Sequence, residues 1–149
     1  MAIYYSEGGH SGEGRIIQVV SSYKTSSSST SSTSFTATGH SATITPKHSS
    51  NKVLFIASAG TMNNSAENGA GYTMYRDGTN LDANGDTMRV WWGEDQTNNV
   101  EGTTTLQGLN STNTSSATTF EVYFKRYGGG DAIWGNRGAA SILLLEVAF

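Results

Sequence analysis

The sequence predicts an all-β protein: an antiparallel, jelly-roll-like β-sandwich of about eight to ten strands. Short segments rich in β-branched and aromatic residues recur along the chain, and Gly, Asn and Asp residues typical of turns separate them. No segment shows the 3.6-residue period of an amphipathic helix. The 3 Trp, 7 Tyr and 5 Phe argue against disorder, although Ser and Thr make up 39 of the 149 residues.

The N-terminal quarter of the chain divides into an arm, a strand and a polar segment. Residues 1–14 contain four Gly and no sustained period, so they are predicted to form a flexible arm, with the sandwich domain at 15–149. Residues 15–24 favour a first strand, because five of them are Ile, Val or Tyr. The Ser/Thr run at 25–34 is expected to be a solvated loop or an exposed edge strand.

The next segment combines alternation with an apolar run. In residues 34–46, small polar residues alternate with apolar ones around Gly39, which predicts two short strands joined by a turn. Pro46 belongs at a strand end, because proline cannot donate to a β-ladder. Residues 52–59, KVLFIASA, are apolar on both faces, so they are predicted to be a central buried strand.

The remaining strands are predicted from alternation and turn signals. Residues 118–127 alternate most cleanly, with Phe120, Val122 and Phe124 on one face. Asp77-Gly78 is a strong hairpin signal after the strand that precedes it. The other predicted strands cover residues 71–76, 87–92, 103–109 and 141–149.

The two strands that are apolar on both faces predict a contact with another subunit. In a two-sheet sandwich, one face of each strand lines the core and the other usually meets solvent. A second apolar face therefore needs a cover, either a loop of the same chain or, as favoured here, a neighbouring subunit. The residues assigned to this subunit interface are Leu54, Ile56, Leu143, Leu145 and Phe149.

Composition excludes several classes of protein. With no Cys, the chain has no disulfide, no thiolate metal site and no cysteine nucleophile. No apolar run has the length of a membrane span, and the N-terminal residues do not resemble a signal peptide. A net charge of −3 with 9 thinly spread basic residues argues against nucleic-acid binding.

No constellation of residues predicts catalysis, a cofactor or a metal site. The three histidines, His10, His40 and His48, fall in the arm and in turns, without the spacing of a zinc site. Residues 80–85 imitate the start of a calcium loop, but the twelfth position is Trp91 in place of Glu, so a turn is expected. Nucleophile elbows and phosphate loops are absent from the sequence. The chain is therefore predicted not to be an enzyme.

An aromatic group supports a different class of function. Tyr75, Trp91 and Trp92 could stack against a glycan, because sugar rings pack on aromatic faces. In a chain with few Leu and Ile, however, aromatic residues are also the main core filler, so a place in the core or in a subunit interface is favoured over a ligand platform.

Four segments, taken in order, resemble a structural module of tailed phages, especially marine and cyanobacterial ones. They are TSFTATGHSATITPKHSSNKVLFIASA at 33–59, MYRDGTNL at 74–81, TTFEVYFKR at 118–126 and SILLLEVAF at 141–149. The resemblance covers nearly the whole of 15–149. It implies a virion structural protein with a jelly-roll-like β-sandwich that forms homotrimers, and it brings no catalytic residues.

With so short an arm before the module, the resemblance points to capsid decoration. We expect a cement protein, made in the host cytoplasm, that binds the major capsid protein or other virion proteins on the outer surface of the head. The arm residues Ile3, Tyr4 and Tyr5 are the predicted capsid anchor. The alternative is the tip of a tail fibre or head fibre that binds a host receptor or glycan. Neither nucleic acid nor membrane is an expected partner.

Overall fold

In the computed structural model, residues 14–64, 69–84, 87–92 and 100–149 are described. They form an all-β sandwich of two antiparallel sheets, which confirms the predicted fold class. The strands are β1 (Ile16–Lys24), β2 (Ser28–Thr30), β3 (Thr36–Ile44), β4 (Lys52–Asn63), β5 (Gly69–Arg76), β6 (Thr79–Asn80), β7 (Arg89–Trp92), β8 (Val100–Ser111), β9 (Thr118–Tyr127), β10 (Ala132–Trp134) and β11 (Ala140–Val147). None of these residues belongs to a helix long and apolar enough to cross a membrane.

The first sheet is built around β4. On one side, β11 pairs with Lys52–Ser58 of β4 and β10 pairs with residues 61–63. On the other side, β8 pairs with β4 along its whole length. The strand β1 flanks β11, and β2 flanks β10. The predicted central strand at 52–59 is therefore confirmed, and it continues to Asn63.

The second sheet has the order β3-β9-β5, with β6 and β7 both paired to β5. The predicted hairpin at Asp77-Gly78 is confirmed, since φ is 47° at Asp77 and 82° at Gly78, as a tight two-residue turn requires. The strand at 118–127 has the predicted bounds, and its Phe120, Val122 and Phe124 are buried.

Alternate residues of both sheets pack between them to form the core. The Phe55 and Phe120 rings lie 5.9 Å apart across the interface of the two sheets. At the opposite end of the core, the rings of Tyr72 and Trp134 are 5.8 Å apart, and both side chains are fully buried. The Tyr72 hydroxyl donates to the Ile133 carbonyl at 2.8 Å, and burial raises the pKa of Tyr72 above its ordinary value.

Two sequence predictions about strands are corrected. Residues 36–44 form one strand, β3, rather than two strands around a turn, because Gly39 lies at a register irregularity with φ of 67° that leaves the strand continuous. The three-residue strand β10 was not predicted, since Ala-Ile-Trp between turn residues is too short to show a period. The Ser/Thr run at 25–34 contains the short edge strand β2.

Candidate functional site: the outer face of the first sheet

The outer face of the first sheet carries a band of aliphatic side chains that crosses four strands. Strand register places Val19, Leu145, Leu54 and Leu109 side by side on β1, β11, β4 and β8. The adjacent row contains Ser21, Leu143, Ile56 and Gln107 in the same order. Neither row contains a charged residue. We call these eight positions the outer-face band.

In the isolated chain, the outer-face band is exposed at its ends, on β1 and β8, and half-buried at its centre, on β11 and β4. Five large apolar residues are at least half exposed in the described part of the chain, and all belong to this sheet or follow its last strand. They are Ile16, Val19, Tyr23, Leu109 and Phe149. The band consists of two rows that each cross four strands. With strands about 4.8 Å apart and rows near 7 Å apart, its footprint is roughly 300 Å². This footprint is comparable to the largest apolar patch of a typical monomer, which is often functional.

Four of the five predicted interface residues lie together in the outer-face band. Leu143 is opposite Ile56, and Leu145 is opposite Leu54, and each of the four is half-buried. Phe149 lies beyond the band, where the Lys52 ammonium is 4.2 Å from the centre of its ring. Sequence reasoning missed Val19 and Leu109, although the alternation of apolar residues in β1 and of Leu in β8 could have indicated their face.

The outer face of the second sheet differs because its aromatic rings cover one another. Tyr75 and Tyr123 stack with centroids 3.9 Å apart, and the Phe35 ring meets Tyr75 edge-on at 6.1 Å. The Lys125 ammonium lies 4.5 Å from the Phe35 ring and 4.8 Å from the Tyr127 ring. These side chains are half-buried, and none of the large apolar residues that are at least half exposed in the described part of the chain lies in this sheet, so the first sheet presents the more exposed apolar side chains.

The predicted glycan-stacking residues lie on two strands, Tyr75 on β5 and the two tryptophans on β7. Tyr75 pairs with Asn80, whereas Trp91 is opposite Ala70 and Trp92 is opposite Gly69. Five residues along a strand correspond to about 17 Å, so Tyr75 is not adjacent to the two tryptophans. Its aromatic neighbours are Tyr123 and Phe35. The predicted anchor residues Ile3, Tyr4 and Tyr5 lie outside the described residues.

His40 is buried in β3, which corrects its assignment to a solvated turn. Its side chain is 2% exposed, and Nδ1 accepts a hydrogen bond from Trp134 Nε1 at 3.2 Å. Nε2 is buried and makes no hydrogen bond of normal geometry within the described residues. Burial lowers the pKa of His40 and the nearby Lys24 ammonium lowers it further, while the Ser22 backbone opposes the shift. The ring is therefore neutral in the folded protein at pH 7.

We expect the free energy of unfolding to fall as the pH drops below 6.5. The unfolded chain then binds a proton at His40 that the folded chain resists until its lower pKa is reached, and a protonated ring no longer accepts from Trp134. Urea unfolding between pH 7.5 and 5 measures this loss. It should be smaller in His40→Asn, while His48→Asn, in an exposed turn, should keep the wild-type profile. Equal profiles for all three proteins would contradict the assignment.

The calcium-like segment and the Glu101–Arg137 region are the other candidates for a site. The described residues include no group of three or more His, Cys, Asp or Glu side chains that could hold a metal ion. In the segment that imitates a calcium loop, Asn80 Oδ1 accepts from the Thr73 hydroxyl and the Asp82 backbone, as expected of a turn. An open cavity of about 410 Å³ is bordered by Glu101 and Arg137, which pair with each other at 2.9 Å.

Comparison with known proteins identifies no family. Neither a protein-family model nor a curated protein matches this chain. Fifteen chains of solved structures match it. One belongs to the structure of infectious bursal disease virus, Gx strain: it is 12% identical, has a TM-score of 0.48, and the match covers 99% of this chain but 36% of the viral one. This chain thus spans about a third of that protein's length, and a similarity of this size carries no inference about function.

Proposed function

We propose that this protein is a non-enzymatic virion structural protein that forms homotrimers through the outer-face band and decorates the outer surface of a phage capsid. The exposed, uncharged outer-face band is the observation that carries self-association. The sequence resemblance to tailed-phage modules supports the virion role and three-fold assembly. The arm, through Ile3, Tyr4 and Tyr5, is the proposed anchor to the capsid.

The size and chemistry of the outer-face band suit a contact between subunits. A footprint of roughly 300 Å² sets an upper limit of about 7 kcal/mol on the apolar stabilisation of an interface, before the entropy cost of association. Stable interfaces bury about 800 Å² per partner, so the Ser and Thr residues around the band contribute its polar rim. Tyr23, Ser58 and Thr105 belong to such a flanking row. If the outer-face bands of three copies surround a three-fold axis, their aliphatic side chains pack against one another.

Charging the outer-face band should dissociate the trimer. In Leu54→Lys combined with Leu145→Lys, two adjacent ammonium groups replace the centre of the band, so we expect association about tenfold weaker or more, because buried unpaired charges cost several kcal/mol. Both positions are half-buried on the outer face in the monomer, and the long lysine side chains can reach solvent from there, so the fold should persist. Sedimentation velocity measures the oligomeric state, and circular dichroism checks the fold.

The second sheet offers a matched control. Thr43 and Thr119 form a cross-strand pair on its outer face, with their hydroxyls 2.9 Å apart. Thr43→Lys combined with Thr119→Lys adds the same charge in the same geometry and should leave the trimer intact. A wild-type protein that stays monomeric at high concentration, or a trimer unaffected by the Leu54/Leu145 changes, would overturn the proposal.

Location on the virion tests capsid decoration separately. Quantitative mass spectrometry of purified virions should find hundreds of copies if the protein covers the head, and tens or fewer if it belongs to the tail. Deleting residues 1–13 should release the protein from particles while the trimer still forms. Undiminished binding of the truncated protein would contradict the role of the arm.

One observation favours the alternative function, a fibre tip that binds a host receptor or glycan. The rings of Phe35, Tyr75 and Tyr123 form an aromatic cluster on the outer face of the second sheet. A glycan array with the wild-type protein and Tyr123→Ala tests this candidate. Trp92→Ala tests the tryptophan pair in the same way. Binding that either change removes from a folded protein would favour the fibre-tip function.

A further inference from the structure

The strand β8 is a long and regular edge strand. Its twelve residues pair with β4 from Val100 to Ser111 without a register shift. No described strand pairs with its other edge. At its C-terminal end, the Arg76 guanidinium donates to the Ser111 carbonyl at 2.7 Å and to Asn110 Oδ1 at 2.6 Å. We call these two hydrogen bonds the Arg76 cap. The residues of β8 before the cap present backbone N–H and C=O groups along the free edge, and these groups need a partner strand or water.

The other long edge strands carry devices that prevent pairing with further strands. In β1, a bulge lies between Ile16 and Gln18, and the Lys24 ammonium at its end donates to the Thr38 carbonyl of the opposite sheet at 2.6 Å. In β3, the register shifts between Ala37 and Ser41. The remaining edge strands, β2, β6 and β7, are two to four residues long. Bulges, lysines and short lengths are the usual protections of an edge.

The strand β8 has none of these protections. Residues 102–111, GTTTLQGLNS, contain no proline and no charged residue, and their three Thr and two Leu suit an extended strand. Glu101, at the N-terminal end, is the one charged residue of β8. An edge that is long, regular and neutral is a template for another strand.

We propose that β8 pairs antiparallel with β8 of a second copy about a two-fold axis near Leu106, over residues 103–109. This paired range stops before Asn110 and Ser111, which accept the hydrogen bonds from Arg76. Antiparallel pairing places the two Glu101 side chains at opposite ends of the ladder, about 34 Å apart, whereas parallel pairing in register would set them side by side. The strand is thereby complementary to itself, and the first sheets of two copies become one continuous sheet.

This edge contact is made by the backbone of β8, whereas the outer-face band is made by side chains that include Gln107 and Leu109 of the same strand. The edge contact does not depend on the virion role. The outer-face bands of three copies meet around the proposed three-fold axis, whereas the β8 edge joins two copies side by side in one sheet. Used together, the two contacts link one trimer to the next. A decorating layer linked in this way would reinforce the particle beneath it.

Disulfide trapping tests the register, because the chain has no native Cys. With the axis at Leu106, Thr105 lies opposite Gln107 of the other copy, at a Cα separation of about 5 Å that a disulfide can bridge. Chains carrying Thr105→Cys and chains carrying Gln107→Cys should, when mixed and oxidised, form a covalent pair about tenfold more than either alone. The same yield in the mixture and in the single variants, or no cross-link at all, would overturn the proposal.

A charge swap at the same positions gives a second test. Thr105→Lys with Gln107→Lys puts like charges opposite each other twice across the two-fold axis, so pairing should weaken about tenfold. Thr105→Lys with Gln107→Glu makes two opposite-charge pairs and should preserve the contact. Equal association of the two variants would contradict the proposed register. The Leu54/Leu145 lysine variant should lose the trimer and keep the disulfide, so the two proposals fail separately.

Discussion

Replacing Glu146 with Ala should lower the free energy of unfolding by about 3 kcal/mol, because it leaves the buried Asn51 amide and two less buried donors without their acceptor. The Glu146 side chain is fully buried in β11. Its Oε1 accepts from the Lys47 backbone at 2.6 Å and from Asn51 Nδ2 at 2.7 Å. The Gln18 amide, with its nitrogen turned toward the carboxylate, donates to Oε2 at 3.0 Å.

These bonds tie three parts of the chain together. Gln18 belongs to β1, and Lys47 and Asn51 belong to the β3–β4 connection. Asn51 Oδ1 in turn accepts from the backbone of Phe149 at 3.3 Å, so the C-terminal residue is held by the same network. The carboxylate therefore fixes the end of the sandwich where Phe149 meets the Lys52 ammonium.

Chemical denaturation with urea measures the loss, and two further variants define its cause. Glu146→Gln keeps one acceptor oxygen and should lose less stability than Glu146→Ala. Glu121→Ala removes a half-exposed carboxylate from the outer face of β9 and should change stability by less than about 1 kcal/mol. If Glu146→Ala were as mild as Glu121→Ala, the buried network would not stabilise the fold as described.

Gly60→Ala should destabilise the protein by about 3 kcal/mol, since a methyl group there overlaps backbone atoms that cannot turn aside. A Cβ on Gly60 would fall far inside van der Waals contact with the Asn136 carbonyl oxygen. The Gly60 carbonyl also accepts from the backbone N–H groups of Gly135 and Asn136, each at 2.9 Å. The turn after β10 therefore packs directly on β4, and only a residue without a side chain fits.

The same turn supplies the control for Gly60→Ala. A Cβ on Gly138 would meet nothing within 4 Å, and its φ is not in the left-handed region. Gly138→Ala should therefore leave stability unchanged or raise it slightly, because Ala restricts the unfolded chain. Thermal and urea unfolding of the two variants should differ clearly. Similar stabilities would show that the turn moves to accommodate the methyl group at Gly60.

A strand could be predicted from the sequence when it was long and when its apolar and polar residues alternated regularly. Residues 118–127 alternate over ten positions, and both the bounds and the buried face of β9 agree with the prediction. At Gly39, by contrast, a glycine with positive φ lies at a bulge. A glycine in a sequence is equally typical of a turn, so the neighbouring residues alone could not show that the strand continues. The short β10 holds Trp134, whose burial depends on Tyr72 and His40 from distant parts of the chain.

The candidate site shows the same division. Sequence alone indicated that 52–59 and 141–149 are apolar on both faces, and it picked Leu54 and Leu145 for the outer one. It could not show that these strands are neighbours, or that Val19 and Leu109 extend their row to both edges of the sheet. Register between strands depends on contacts far apart in the chain.

What the sequence by itself determined is the all-β class, most of the strands and which residues of each strand share a face, because side chains alternate with a period of two. Tertiary structure decided which of the two faces is covered. The outward rings of β9 and β5 stack on one another, whereas the outward residues of β4 and β11 are half-buried beside the exposed Val19 and Leu109 of the neighbouring strands. Tertiary structure also turned His40 and Glu146 inward, since the donors and acceptors that satisfy them come from other strands.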